Sequence, residues 1–173
     1  AANTAVGGTA LAANTAANNT AVGYAALTAN TTGTSNVAIG YEAGYHNTTG
    51  DENTALGYRA YSRGSATSAA TADYNTAIGT YTLYSNQSGA SNVAVGHSAM
   101  QENTTGGSNT AVGASALFAN TTGVRNTAVG QAAGIALTTG TDNTLLGQDA
   151  GDSITTGLSN TAVGSETLQA TTT

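Results

Sequence analysis

Few residues of this 173-residue chain are equipped for chemistry, and their spacing limits what they can do. The two histidines, His46 and His97, sit in different stretches of the chain, and there is no Cys to act as a nucleophile. Asp51 and Glu52, the nearest carboxylate pair, lie in a turn-forming segment and recur nowhere else. A nucleophile, a base and an orienting group therefore do not come together, and no enzymatic activity and no cofactor are expected. Asp142, Asp149 and Asp152 form a loose acidic group that lacks the several oxygen ligands calcium requires and the regularly repeated Asp of calcium-binding β-rolls, so no metal site is expected. The one constellation suited to recognition is aromatic: Tyr58, Arg59, Tyr61, Arg63, Tyr74, Tyr81 and Tyr84 cluster in sequence. A Tyr face beside a guanidinium can stack on a sugar or grip an acidic glycan. The competing reading is that these are ordinary exposed tyrosines on a β surface.

The elements that must position these residues follow from a repeat. Asn, then Thr or Val, then Ala (Leu145 in one copy), an aliphatic residue and Gly recur ten times, beginning at Asn3, Asn19, Asn36, Asn53, Asn75, Asn92, Asn109, Asn126, Asn143 and Asn160. The steps are 16, 17, 17, 22, 17, 17, 17, 17 and 17 residues: a 17-residue period with one deletion and one insertion. A period this short is too small for a helix pair, the repeated core is β-branched and small, and the recurrent Asn-Thr-Thr-Gly is turn chemistry. Ala is abundant but recurs at the repeat offset, not at helical spacing. The expected fold is all-β, a parallel β-solenoid (β-roll) of ten 17-residue coils, with residues 1–173 forming a single repeat segment and residues 62–72 an inserted surface loop.

Composition agrees. With no Trp, one Phe, one Met and no Pro, no large-residue core can be built, so stability must come from stacking. Nine carboxylates against three arginines exclude a cationic surface for nucleic acid. No stretch of apolar residues is long enough to insert in a membrane. The chain starts two residues before a repeat and stops three short of completing one, which reads as an excerpt of a longer fibre.

Numbering the coil from its Asn assigns roles. Position 4 is always Val, Ile or Leu and is expected to face a core; position 3, Ala in nine coils and Leu145 in the other, is expected to be buried on the opposite strand face against something close. Position 5 is always Gly, as a corner with positive φ requires. Position 9 is Leu11, Leu27, Leu83, Met100, Leu117 and Leu168 in six coils and Gly44, Gly134 and Gly151 in three; Leu137 and Ile154 are then compensating fillers from the next corner. Position 1, Asn throughout, suits either a ladder of side-chain amides along the stack or a simple turn entrance. The sequons at Asn18, Asn30, Asn47, Asn86, Asn103 and Asn120 are read as corner residues first and glycan acceptors second.

The motif "NTAVG", with "YAAL" and "NTTG", resembles the head repeats of YadA-type trimeric autotransporter adhesins and the repeat shafts of bacteriophage tail fibres. "SNVAIG" at 35–40 and "SNVAVG" at 91–96 are similar to the adhesin strand, although the adhesin unit is shorter. The resemblance covers essentially the whole chain. It implies a left-handed trimeric β-roll fibre with the "NTAVG" strand innermost, placed outside the cell, on a cell surface or on a virion. The function it implies is a stiff spacer and attachment surface of an adhesin or tail fibre, with itself as partner in a homotrimer or filament and a host-surface glycan or receptor as the target. Two other readings stand beside it: a glycan-binding module using the Tyr/Arg cluster, and an ice-binding solenoid using the Thr31-Thr32, Thr48-Thr49, Thr104-Thr105 and Thr121-Thr122 ladder.

Overall fold

The computed structural model describes residues 2–62 and 70–169. Its ten strands are three residues each: β1 (Thr4–Val6), β2 (Thr20–Val22), β3 (Val37–Ile39), β4 (Thr54–Leu56), β5 (Thr76–Ile78), β6 (Val93–Val95), β7 (Thr110–Val112), β8 (Thr127–Val129), β9 (Thr144–Leu146) and β10 (Thr161–Val163). They form one parallel sheet in sequence order. Position 3 pairs with position 3 at every step, including Ala5 with Ala21 across the deletion and Ala55 with Ala77 across the insertion. At about 4.8 Å per rung the stack is close to 50 Å long.

The Gly at position 5 turns the chain out of each strand. Gly23, Gly40, Gly113 and Gly130 have φ of 136° to 137°, and a Cβ on Gly113 would collide with the carbonyl of Gly130 in the next coil. Stacking and backbone conformation thus demand the same residue. Side chains at positions 7, 9 and 17 also adopt left-handed φ, among them Leu27 at 50°, Ser35 at 58° and Glu42 at 52°. Such residues are disfavoured by about 1–2 kcal/mol each, which the bonds between coils must offset.

From β2 onward position 3 is buried as the sequence leads one to expect, but position 4, expected to face a core, does not face one within the chain. Position 3 points into the coil: Ala21, Ala77, Ala94, Ala111, Ala128 and Leu145 are fully buried. The position 4 aliphatics point out, with Ile39 39%, Leu56 42% and Val129 40% exposed. Alternation along a strand says that the two sets oppose each other, not which set is inside. The inner space is already filled by positions 8 and 9, so a methyl group is what normally fits at position 3. Leu145 is accommodated because Gly134 and Gly151 lie across from it: a Cβ on either would come within 2.7 or 2.8 Å of its methyl groups. Leu137 and Ile154 fill the neighbouring space and are buried, as expected.

Position 1 makes the amide ladder. The Oδ1 of each Asn accepts the backbone N–H of the next, at 2.8–3.0 Å from Asn3 to Asn160 without a break. In most coils the Nδ2 group also ties down the position 15 carbonyl of its own coil, as Asn109 does to Gly123 at 2.9 Å. A second ladder runs through position 12, from Asn30 to Asn14 at 2.7 Å and from Asn103 to Asn86 and Asn120 to Asn103 at 2.8 Å. It ends where the next coil offers no amide there, so the buried Oδ1 atoms of Asn47 and Asn120 have no partner.

Candidate functional site

The aromatic cluster is set by the register of the coils. Tyr24, Tyr41 and Tyr58 occupy position 6 of successive coils, so stacking lays ring on ring: their centroids are 5.3 Å apart at each step, with interplanar angles of 18° and 12°. Tyr81, at position 7 of the following coil, closes the column edge-on against Tyr58 at 5.5 Å and meets Tyr84 edge-on at 5.4 Å. The Arg59 guanidinium carbon lies 5.5 Å from the centre of the Tyr58 ring, and its Nε donates to Glu42 Oε2 at 2.7 Å.

Electrostatics follow these contacts. The Glu42 carboxylate, by hydrogen bond and by charge, raises the Tyr41 hydroxyl above its ordinary range. The hydrogen bond with Tyr81 raises Tyr58, with Arg59 opposing it. Glu42 in turn raises Arg59, which stays a permanent cation.

Of the residues proposed from sequence, Tyr58, Arg59, Tyr81 and Tyr84 are brought together. Tyr61 is not available to a ligand. It occupies position 9, the place of Leu in other coils, is 2% exposed, and its hydroxyl donates to the Ala72 carbonyl at 3.0 Å; burial raises its pKa strongly. That carbonyl is the one the position 12 Asn caps in other coils, so the phenol of Tyr61 replaces a missing corner amide. The signal was present in the sequence, because Tyr61 stands at position 9, in phase with Leu27 and Leu83. Tyr74 is exposed at the position 17 corner, apart from the column. Arg63, and most of the 62–72 insertion, lie outside the described residues; Ser62 at its start is buried, and its carbonyl is 2.7 Å from His46 Nδ1. Tyr24, Tyr41 and Glu42 were missed, although Tyr24, Tyr41 and Tyr58 recur at the repeat period.

Comparison with family models, with curated proteins and with solved structures returned no match. What the site can do therefore rests on its own geometry. The rings of Tyr41 and Tyr58 stack on each other, so their faces are largely engaged within the column and a sugar-stacking platform on this cluster is smaller than the count of tyrosines suggests.

The other groups weighed from sequence are placed as follows. Among the described residues no cluster of three or more His, Asp or Glu is arranged to hold a metal ion, and no helix is long and apolar enough to cross a membrane. The hydroxyls of Thr31, Thr104, Thr121 and Thr138 donate to a carbonyl of the next coil at 2.9–3.1 Å, so the Thr ladder at position 13 is internal bonding. Five sequon residues, Asn30, Asn47, Asn86, Asn103 and Asn120, are buried with their Nδ2 groups hydrogen-bonded, whereas Asn18 is exposed.

The largest unpartnered feature is the outer face of the sheet. Positions 2 and 4 present two parallel rows, Thr or Val beside Val, Ile or Leu, over all ten rungs. Val37, Ile39, Leu56, Val93, Val112 and Val129 are each 36–42% exposed.

Proposed function

We propose that this chain is a segment of a structural fibre, acting by geometry as a stiff spacer, in which identical chains pack through the outer face of the sheet in a homotrimer. The observation that carries the reading is the outward aliphatic row at position 4: a soluble monomer has no reason to repeat Val, Ile or Leu ten times on a solvent-facing strand. Burying a whole aliphatic side chain contributes roughly 1.5–3 kcal/mol, so the 39%, 42% and 40% exposed at Ile39, Leu56 and Val129 offer about 1 kcal/mol each, and the whole row is worth on the order of 10 kcal/mol per chain. Association costs roughly 4–15 kcal/mol. The face therefore suffices only when most rungs act together, which suits a long rod. The resemblance of "NTAVG" and "NTTG" to adhesin heads and tail-fibre shafts supports three chains around one axis, and with it an extracellular or virion setting and a host glycan or receptor as target.

The test is to replace Val112 and Val129 together by Asp and compare with Asp at the exposed Thr122 and Thr139 of position 14. Loss of the assembled particle in the first variant alone is expected. An unchanged particle mass in both would remove the sheet face from the interface.

A further inference from the structure

The tyrosine column is placed for a covalent step that a fibre can use. Tyr24, Tyr41 and Tyr58 are exposed, at 54%, 42% and 41%, so an oxidant in solution reaches their phenols. Nothing more readily oxidised competes with them: the sequence has no Cys and no Trp, and Met100, its one methionine, is fully buried. Adjacent rings are near-parallel with centroids 5.3 Å apart, so like atoms face like atoms one rung away.

We propose that this column is an oxidative cross-linking site, at which a one-electron oxidant such as a peroxidase with hydrogen peroxide joins neighbouring rungs by dityrosine bonds. Each of two adjacent phenols gives up one electron and one proton, and hydrogen peroxide accepts both pairs and becomes two waters. The two phenoxyl radicals form a carbon–carbon bond between ring positions ortho to oxygen. The hydrogen displaced from each bonded carbon returns to its own oxygen, which restores two phenols. The product is two hydrogens lighter than the starting chain. It staples successive coils where stacking otherwise relies on hydrogen bonds.

Tyr41 is the shared member, since Tyr24 and Tyr58 are two rungs apart. The experiment treats the purified chain with horseradish peroxidase and hydrogen peroxide, reads dityrosine fluorescence, and maps linked peptides by mass spectrometry. Tyr24 to Tyr41 and Tyr41 to Tyr58 links within one chain are expected. Tyr41→Phe keeps a ring in the column but removes its phenol, and should abolish both links; Tyr74→Phe, at a different corner, should leave them intact. Should Tyr41→Phe disturb the fold, Tyr24→Phe must still remove the first link and spare the second. Links that survive Tyr41→Phe, links formed mainly through Tyr74, or no dityrosine under conditions that couple free tyrosine would each overturn the proposal.

Discussion

Replacing Asn109 separates a register ladder from a turn residue. Its Oδ1 accepts the backbone N–H and the Nδ2 of Asn126 at 2.9 and 3.2 Å, while its Nδ2 donates to the Gly123 carbonyl at 2.9 Å and to Asn92 Oδ1 at 3.1 Å. In Asn109→Ala, Gly123 keeps the Asn120 amide and Asn126 Nδ2 keeps Gly140, but the Asn126 N–H is left buried without an acceptor. One orphaned buried donor at about 1–3 kcal/mol plus three lost bonds at about 1 kcal/mol each gives about 4–6 kcal/mol. Asn109→Asp is more informative. A carboxylate keeps the contacts with Asn126 but turns an oxygen toward two acceptors, with burial and no cation to compensate, so its folded pKa is raised. Below the unfolded carboxylate value of about 3.9 both states are protonated, and the acid O–H can still donate. As pH rises past that value the unfolded state ionises first, and stability falls by about 1.4 kcal/mol per pH unit until the raised folded pKa is reached. Urea unfolding of wild type, both variants and an exposed Thr122→Asp control between about pH 4 and pH 7 measures this against the ordinary carboxylate range. An Asn109→Ala variant as stable as wild type, or an Asn109→Asp variant whose deficit does not grow with pH, would reduce Asn to a turn former.

Further predictions follow from single contacts. Leu145→Ala should cost about 2–5 kcal/mol and Gly134→Ala about 1–3 kcal/mol. Because a Gly134 Cβ would meet a Leu145 methyl at 2.7 Å, the double variant should lie well below their sum, and an additive cycle in urea unfolding would refute the compensation. Tyr61→Phe should cost only about 0.5–1.5 kcal/mol by the same assay, since Asn53 Nδ2 still caps the Ala72 carbonyl at 2.8 Å. Asp142, held by two Arg125 bonds at 2.7 and 2.8 Å, has its pKa lowered by that guanidinium. Such a carboxylate adds stability above its unfolded pKa and loses it as pH falls through the folded one. In a carbon-detected NMR titration it should protonate below an ordinary Asp, and Arg125→Gln should return it upward with no resolvable change in unfolding midpoint.

Much of the fold is legible in the sequence because the repeat is a register. Period, strand position, the Gly corner, the Asn ladder and the fillers Leu137 and Ile154 follow from residues that recur in phase. Position 4 was not legible as outward-facing because size is a poor guide where the interior is narrow. The clue was that Leu145, the one large residue at position 3, coincides with Gly at position 9 in its own coil and the one before. Tyr61 was misplaced for a related reason, since proximity in sequence to Arg59 and Arg63 outweighed its phase. The left-handed backbone at Leu27 and Ser35 has no compositional signature, because Leu and Ser are not residues that favour that conformation.

The claim on which the functional account turns is that copies of this chain cover its outer sheet face. Light scattering on the purified chain during size-exclusion chromatography measures the mass of the folded particle in solution. Three times the 16.8 kDa chain mass is predicted, and a folded particle of one chain mass would contradict it.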